Sequence, residues 1–387
     1  MQRRATNDHP HRLSGVRWLI AALTALGVCA CASEPSYIPP DTVEQRITKL
    51  MDEFNAATVG IGIIRDGELV WSGYYGEESL GVPASARSLF NTASVNKSIT
   101  AEVALRLASK GLIDLDEPIS AHYIHPDIAG DPRHEKLTPR VLLTHQAGFL
   151  NWPFLYEDGK LAFIDEPANG NYHYAGIGFR IFARFLEEKL GQPFPEIVRA
   201  HVFDPIGMTN TTNSHDIAKT RKHVVRPVDP SGAFVDEHEF ETDYWSAADD
   251  LFVTVEEYAA FLVAVMNNDD VSETFAAERS KVATLMDDNE IWGCAEDAVD
   301  PCPSPYGHGI GWFVFGYDDG ITVHHGGNDR SEGAIGYYQP ATRNGGIVFI
   351  NSAQGVQMWP KVVDLVDPDQ QFQDAFHDLI AKFFSGD

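Results

Sequence analysis

Two spacings of apolar residues alternate along the chain and predict where its helices and strands lie. Residues 41–55, 178–190 and 372–384 carry apolar side chains three or four positions apart, which is typical of amphipathic helices. Other segments are rich in β-branched and aromatic residues and end in turns rich in Gly, Asp and Asn, as antiparallel strands do. The predicted strands are 58–64, 68–74, 309–315, 321–325, 334–339 and 347–351, with turns at 65–67, 318–320 and 344–346.

The order of these elements predicts how the chain is organised. Strands are concentrated at both ends, whereas most periodic segments between residues 94 and 286 are helical, including one that begins at the capping box Thr254-x-x-Glu257. We therefore expect an α+β fold, in which an antiparallel sheet is flanked by N- and C-terminal helices and a mainly helical domain is inserted. The expected boundaries are 41–90 with 305–387 for the sheet domain, and 91–304 for the helical domain.

The stretch around Ser94 and Lys97 carries the first candidate chemistry. Residues 96–110 predict a helix with one buried stripe, so Ser94 falls at its start, where unpaired N–H groups favour negative charge. Lys97 lies three positions on and therefore over Ser94. A lysine activates a serine only where burial or a nearby cation lowers the pKa of an amine. The motif alone fits equally well an N-terminal capping serine followed by a lysine that faces solvent.

The charge balance excludes one class of partner. The 387 residues contain 56 acidic and 29 basic side chains, giving a formal charge of −27. Such a surface repels the phosphates of nucleic acids, and no basic patch offsets it. We expect no nucleic-acid partner.

The first 30 residues resemble an export signal. Four arginines precede an apolar run from Trp18 to Ala30, which is short for a membrane span and is followed by small residues. Val28-Cys29-Ala30-Cys31 looks like a bacterial lipobox, with Cys31 as the lipid-bearing first residue of the mature chain. Cys29 fits less well, because Val28 would then precede the cleavage point. The alternative is a secreted protein that is cut nearby and carries no lipid.

These features predict an exported protein of the periplasm or cell envelope, whose membrane contact is an N-terminal lipid anchor. Residues 31–40 contain three prolines and predict a short, stiff tether between the signal peptide of residues 1–30 and the folded part.

Two further cysteines, Cys294 and Cys302, are eight positions apart in a loop-like segment. In an exported protein such a pair favours a disulfide over a metal site, because no second Cys or His pair has zinc spacing. His122, His125 and His134 are separated by prolines and are typical of a surface loop. We expect no metal and no cofactor.

Three ordered motifs give the chain a family resemblance. Residues 142–148 (LLTHQAG), 111–118 (GLIDLDEP) and 204–208 (DPIGM) resemble segments of the serine β-lactamase and penicillin-binding-protein superfamily, in particular the branch near class C β-lactamases. That branch also holds esterases, D-amino-acid peptidases and DD-peptidases. The resemblance covers most of the mature chain and implies a β-lactamase-like fold with Ser94 and Lys97 as catalytic residues.

The resemblance also implies a catalytic tyrosine. The family's Y-x-N element is matched by Tyr174-Ala175-Gly176, with Tyr172 as an alternative. Tyr174 would share proton transfer with Lys97. Gly176 departs from the family, because its asparagine amide normally orients a substrate amide. This departure favours an esterase over an efficient β-lactamase or peptidase.

The third family element, K-T-G or H-x-G, is matched by His325-Gly326-Gly327, with His324 as a rival for the role of His325. The backbone N–H groups of Asn328 and Ser94 would then form the oxyanion hole, and Gly327 would let the backbone approach. A histidine at this position would titrate near pH 6.5, whereas the lysine of the K-T-G form would be a permanent cation.

Together these features predict an exported serine hydrolase that forms an acyl-enzyme on an ester or amide carbonyl of a small-molecule or peptide substrate. Asp249-Asp250 replaces two glycines that are frequent in the family and would disfavour anionic substrates if it lay near the cleft. One alternative function is a penicillin-recognising D,D-carboxypeptidase or β-lactamase. The other is a non-catalytic lipoprotein that binds a cell-envelope ligand.

Overall fold

The computed structural model describes residues 41–235, 240–286, 303–318 and 320–385. Its α-helices are α1 Asp41–Glu53, α2 Asn96–Ser109, α3 Pro139–Leu143, α4 Gly176–Leu190, α5 Phe194–Val198, α6 Asp204–Ile206, α7 His215–Ala218, α8 Val255–Asn267, α9 Glu273–Ala276, α10 Gly355–Val366 and α11 Gln370–Ser385. A π-helical turn, Arg199–Phe203, joins α5 to α6. Short 3₁₀ turns are Ala93–Val95, Ile119–Ala121, Pro126–Ile128, Pro132–Lys136, Pro153–Leu155 and Ala277–Arg279.

The described strands form one large antiparallel sheet and one small strand pair. The strands are β1 Thr58–Arg65, β2 Glu68–Ser79, β3 Val82–Pro83, β4 Phe90–Asn91, β5 Phe252–Val253, β6 Thr284–Leu285, β7 Tyr306–His308, β8 Phe313–Tyr317, β9 Gly320–Asn328, β10 Glu332–Gln339 and β11 Asn344–Asn351. The large sheet has the order β3-β2-β1-β11-β10-β9-β8-β7-β6, and β4 pairs with β5. Strands from both ends of the chain therefore meet where β1 pairs with β11, which confirms the predicted α+β architecture.

The two faces of the sheet pack against different helices because strand side chains alternate between faces. Val348 and Ile350 of β11 pack in one core with α1, α10 and α11, which confirms the predicted flanking helices. Ile347 and Phe349 of the same strand pack in another core with α2, α4 and α8. The domain boundaries remain a prediction, and β6 of the sheet falls within the segment predicted to be mainly helical.

Two predicted strand boundaries are wrong. Residues 309–312 form a turn, because the Gly309 N–H donates to the Trp312 carbonyl and the Gly311 N–H donates to Leu143 of α3. The predicted turn at 344–346 lies within β11, where Gly345 and Gly346 pair with β10. Helix α10 was not predicted from the pattern.

Helix α2 is buried on all sides rather than along the single predicted stripe. All of its residues from Asn96 to Ala108 are buried. Two of its polar side chains are held by neighbouring segments: Arg279 donates to Glu102 at 2.6 and 2.8 Å, and the Thr100 hydroxyl donates to the Ala247 carbonyl at 2.7 Å. The helix that follows the candidate nucleophile is therefore fixed from every direction.

Several predictions fall on residues outside the described ranges. Cys31, Cys294 and Cys302 are among them, so the lipid attachment and the disulfide remain predictions. Among the described residues, no helix combines the length and apolar character that crossing a membrane requires.

Candidate active site

Ser94 and Lys97 are in direct contact. The Lys97 Nζ donates a hydrogen bond to Ser94 Oγ at 2.9 Å and another to the Ala248 carbonyl at 2.7 Å. The lysine side chain is completely buried, which rules out the alternative of a lysine that faces solvent. Within the described residues Lys97 forms no ion pair with a carboxylate, so its amine is directed at the serine hydroxyl.

The turn before Ser94 is held in an unusual backbone conformation. Ala93 has a φ of +45°, a left-handed conformation that is costly for a residue with a Cβ and that persists only where the surroundings enforce it. Here the Asn91 Oδ1 accepts a hydrogen bond from the Ala93 N–H at 3.1 Å, and the Thr92 N–H donates to the Leu251 carbonyl at 2.9 Å. Ser94 thus belongs to the 3₁₀ turn Ala93–Val95 that precedes α2, where the first N–H groups lack partners within the turn.

Strand β9 presents an open edge next to this turn. Its pairing with β8 ends at His324, whereas its pairing with β10 continues to Asn328. The Asp329 N–H donates to the Glu332 carbonyl, so the hydrogen-bonded pairs of the β9–β10 ladder fall at every second position from there. This register directs the N–H of Asn328 away from β10 and toward the open edge, as the predicted oxyanion hole requires.

Gly327 lets β9 approach the nucleophile turn closely. A Cβ at this position would lie 2.1 Å from the Thr92 carbonyl oxygen and 2.9 Å from the Ser94 nitrogen. Any side chain would push strand β9, and with it the Asn328 N–H, away from the Ser94 turn. This gives the predicted role of Gly327 a steric reason.

Tyr174, rather than Tyr172, lies beside the lysine. The Lys97 Nζ is 4.9 Å from the centre of the Tyr174 ring. Tyr172 is buried with no partner for its hydroxyl among the described residues, and burial raises its pKa well above the ordinary value. Tyr172 is therefore poorly suited to lose a proton, which favours Tyr174 as the proton-transfer residue.

His145 of the LLTHQAG motif fixes the segment that carries Tyr174. Its Nδ1 accepts a hydrogen bond from the Ala175 N–H at 3.0 Å, and its ring packs against the Tyr174 ring with 4.5 Å between centroids. Burial lowers the pKa of His145 well below its usual range, and His308 and Lys97 lower it further. Only the neutral ring can accept this hydrogen bond at Nδ1. Through the bond and the ring contact, His145 orients Tyr174.

His325 is neutral, which corrects the expectation of a group that titrates near pH 6.5. Burial lowers its pKa well below that value, and the nearby Lys97 and His308 lower it further. Its Nδ1 donates to the Gly326 carbonyl at 2.7 Å, so the neutral ring carries its lone pair on Nε2. His325 therefore offers a hydrogen-bond acceptor rather than a cation on the Lys97 side of β9.

The backbone at Gly176 is covered by two residues of the loop after α3. A Cβ on Gly176 would lie 2.5 Å from the Trp152 ring and 3.1 Å from the Asn151 Oδ1. That same oxygen accepts a hydrogen bond from the Gly176 N–H at 2.7 Å. Gly176 is required here because its neighbours occupy the space of a side chain.

A cavity of about 1080 Å³ opens at Ser94 and is lined mainly by apolar side chains. Its polar lining residues include Ser94, Tyr174, Asn151 and Asn328. The apolar wall comes from four places: the loop after α3, residues 285 and 313, α10 and α11. It comprises Phe149, Leu150, Leu155, Ile164, Leu285, Phe313, Val356, Trp359, Phe376, Leu379, Ile380 and Phe383.

His324, the predicted rival of His325, lines the apolar part of this cavity. Its ring packs against Phe313 and Phe315, with centroids 5.3 and 4.5 Å away. Neither ring nitrogen has a partner among the described residues. This environment, away from Lys97, does not suit a role in proton transfer at Ser94.

We expect His324→Phe to make folding less sensitive to acid. Burial lowers the pKa of His324 to about 3, whereas an unfolded histidine titrates near 6.5, so only the unfolded chain binds this proton between those values. The neutral ring's contribution to stability is complete above pH 6.5 and is lost as the pH falls toward 3. Urea titration at pH 7.5 and 5.5 should show the variant's free energy of unfolding falling by ~1.4 kcal/mol less than that of the wild type. Equal falls would contradict the assignment.

Asp249 and Asp250 do not line the cavity. Burial and the neighbouring Asp250 raise the pKa of Asp249. Burial also opposes ionisation of Asp250, but hydrogen bonds with His215 and Asn91 outweigh it and lower its pKa. Asp250 has a φ of +52°, which explains why glycine suits this position in the family. Asp250 supports the nucleophile turn by accepting a hydrogen bond from the Asn91 Nδ2 at 2.8 Å, and neither carboxylate lies where it would repel a substrate in the cavity.

Several residues at the site were not predicted from the sequence. Asn151 and Trp152 follow the LLTHQAG motif by only a few positions, but no spacing rule identifies them. The cavity residues of α10 and α11 have helical periodicity, which cannot distinguish a cavity wall from a core. Within the described residues, no three His, Cys, Asp or Glu side chains are grouped so as to hold a metal ion.

Comparison with known proteins places this geometry in a family. The model of the family described as Beta-lactamase matches residues 43–366. Beta-lactamase-like protein 2 of Dictyostelium discoideum is 22% identical over 277 residues, which are 65% of this chain and 50% of that protein. The chain spans about half the length of the curated relatives it matches.

Solved structures share the fold. The octameric penicillin-binding protein homologue from Pyrococcus abyssi superposes with a TM-score of 0.67 at 21% identity, covering 80% of this chain and 73% of that one. EstCE1, a hydrolase with promiscuous acyltransferase activity, superposes with a TM-score of 0.66 at 17% identity, covering 84% of this chain and 98% of that one. At these identities the superpositions show the β-lactamase-like fold that the sequence motifs predicted.

Proposed function

The chain belongs to the beta-lactamase family, and on that premise we propose that it is a serine hydrolase that forms an acyl-enzyme and prefers esters. The observation that carries the proposal is the 2.9 Å hydrogen bond between Lys97 Nζ and Ser94 Oγ at the mouth of the cavity. A nucleophile in contact with a base is the arrangement that acyl transfer needs.

In the acylation step the Lys97 amine accepts the hydroxyl proton as Ser94 Oγ attacks the ester carbonyl carbon. The carbonyl oxygen becomes an oxyanion between the N–H groups of Ser94 and Asn328, which stabilise the developing charge. The bond between the carbonyl carbon and the leaving oxygen then breaks as Tyr174 donates its phenol proton to that oxygen, and the protonated Lys97 passes the proton taken from Ser94 to Tyr174. The products are an alcohol and an ester of Ser94.

Water completes the turnover. It loses a proton to the same basic groups as it attacks the acyl-enzyme carbonyl, and Ser94 leaves with a proton from Lys97. His325 takes part as a neutral acceptor on the Lys97 side of β9, so it orients donors there and supplies no positive charge. Gly327 keeps the two N–H groups close enough to act on one oxygen.

Two features support esters over amides and β-lactams. Gly176 lacks the side-chain amide with which the family orients a substrate amide group, and Trp152 closes that space. The cavity wall is mainly apolar, which suits a neutral acyl group better than a charged peptide end. EstCE1 is similar in fold and is named as a hydrolase with acyltransferase activity.

The test compares a p-nitrophenyl ester of butyrate with a chromogenic cephalosporin. We expect kcat/KM for the ester to exceed that for the cephalosporin by about 10- to 100-fold, because a buried amide left without its partner costs that much. Intact mass after brief incubation with the ester should show one added butyryl group, which peptide mapping should place on Ser94.

Other outcomes identify the competing functions. A stable penicilloyl adduct with faster cephalosporin turnover would favour the D,D-carboxypeptidase or β-lactamase, for which the fold is equally suitable. Absence of both turnover and adduct on any of these compounds would contradict the hydrolase and favour the binding lipoprotein. We further propose export to the periplasm or cell envelope, with a lipid on Cys31 as the membrane contact and no nucleic-acid partner.

A further inference from the structure

We infer that the rim of the cavity binds the surface of aggregated, uncharged esters, so that substrate passes from the aggregate directly toward Ser94. This inference rests on the proposed ester hydrolysis and names the physical form of its substrate. Three rim residues, Leu155, Ile164 and Leu285, line the cavity that contains Ser94. Phe154 completes the rim, because it adjoins Leu155 in one 3₁₀ turn.

All four rim side chains are exposed although they are large and apolar. The exposed fractions are 75% for Phe154, 52% for Leu155, 48% for Ile164 and 62% for Leu285. Single exposed apolar residues are common on soluble proteins, whereas a group of them around one opening is typical of a site that contacts another apolar surface. The rim therefore calls for a binding partner.

Hydrogen bonds within the loop after α3 hold its rim residues in place. The Leu150 N–H donates to the Tyr156 hydroxyl oxygen at 2.8 Å, and the Tyr156 hydroxyl donates to the Ala162 carbonyl at 2.6 Å. The Ile164 N–H donates to the Gly148 carbonyl at 2.8 Å. These bonds join both ends of the loop to its middle. The apolar side chains are therefore presented by a fixed backbone, which lowers the entropic cost of binding a surface.

The position of the rim restricts what can bind there. A second copy of the chain or another protein seated on these side chains would cover the opening of the cavity and block access to Ser94. An aggregate of substrate has no such effect, because its molecules can leave the bound surface and enter the cavity. The partner that suits both the rim and the reaction is therefore the substrate in its aggregated form.

Charge defines the chemistry of that surface. The loop segment 153–164 carries the exposed side chains of Glu157, Asp158 and Lys160, and the whole chain has a formal charge of −27. An anionic lipid surface would repel such a protein, whereas burial of apolar side chains against an uncharged surface is favourable and meets no such repulsion. The geometry and the charge point to water-insoluble, uncharged esters such as acylglycerols.

Tributyrin tests this, because it is dissolved at low concentration and forms droplets above its solubility limit. We expect the wild-type rate to rise about 10-fold or more above the extrapolated dissolved rate once droplets form, since burying one such side chain is worth about tenfold or more in binding. Phe154→Ser removes a rim side chain that does not line the cavity. It should reduce the ratio of droplet rate to dissolved rate by about 5- to 10-fold.

The matched control is Leu80→Ser. Leu80 is 85% exposed between β2 and β3 and does not line the cavity, so this variant should keep the wild-type ratio. Flotation of Ser94→Ala with tributyrin droplets measures binding without turnover. It should show binding that adding Phe154→Ser weakens about 5- to 10-fold and that phosphatidylglycerol in the droplets also weakens.

Hydrolysis of dissolved tributyrin with no rise at the solubility limit would overturn the inference and leave the proposed function intact. A rise that survives in Phe154→Ser as it does in Leu80→Ser would also overturn it. A dimer in solution that Phe154→Ser dissociates would assign the rim to contact between copies of the chain instead. Failure of wild type on dissolved esters would overturn the proposed function, and flotation would then decide the surface by itself.

Discussion

Replacing Ser94 with alanine is expected to reduce ester hydrolysis by about 10⁴-fold or more. The hydroxyl is the atom that forms the acyl-enzyme, and removing a serine nucleophile leaves only the modest catalysis from binding and the oxyanion hole. Lys97 would lose its contact with Ser94 Oγ but keep its hydrogen bond to the Ala248 carbonyl, so the fold should persist. The measurement is kcat/KM for p-nitrophenyl butyrate together with intact mass, which should show no butyryl adduct in the variant.

Ser98→Ala is the matched control for this substitution. Ser98 lies in α2, one turn beyond Ser94; it is buried, whereas Ser94 is half-buried, and its hydroxyl donates to the Val95 carbonyl at 2.7 Å. Its loss removes the same kind of atom from the adjoining helix without touching the cavity. We expect stability to fall by about 1 kcal/mol and activity to stay within a few-fold of wild type. Comparable activity in Ser94→Ala and Ser98→Ala would refute the nucleophile assignment.

The sequence predicted those parts of the site that depend on local spacing. Ser94 and Lys97 are one helical turn apart, so their contact follows from helix geometry once the helix is identified. The same holds for the sheet, whose alternating strands and turns were largely located from composition. Where the pattern was wrong, at 309–312 and 344–346, hydrogen bonds to distant parts of the chain overrode local turn preference.

The remaining features depend on contacts between distant segments. The neutral state of His325 results from burial beneath several elements, which no property of the sequence near residue 325 reveals. The space that a side chain at position 176 would fill is occupied by Asn151 and Trp152, which lie about 25 positions earlier in the chain. Either segment alone looks ordinary. The same limit applies to the cavity wall, because α10 and α11 are apolar both where they face the core and where they face the substrate space.

Lys97→Met is expected to slow acylation by about 10³-fold while leaving Ser94 in place. Methionine matches the length of the buried lysine stem and keeps the packing against Tyr174, but it cannot accept the hydroxyl proton, and a positioned base contributes about 10²- to 10⁴-fold. Single-turnover release of p-nitrophenol measures acylation directly and separates it from hydrolysis of the acyl-enzyme. The control is Lys110→Met at the end of the same helix, where the side chain is 39% exposed and lies 3.6 Å from Asp270.

The two lysine variants distinguish proton transfer from general charge. Each removes one lysine amine from a chain with a formal charge of −27, so a long-range electrostatic effect would change both rates in the same direction and by similar small factors. A loss confined to Lys97→Met would assign the effect to the amine that contacts Ser94 Oγ. Acylation by Lys97→Met within tenfold of wild type would transfer the role of base to Tyr174, a titratable group that lies beside the lysine and lines the cavity.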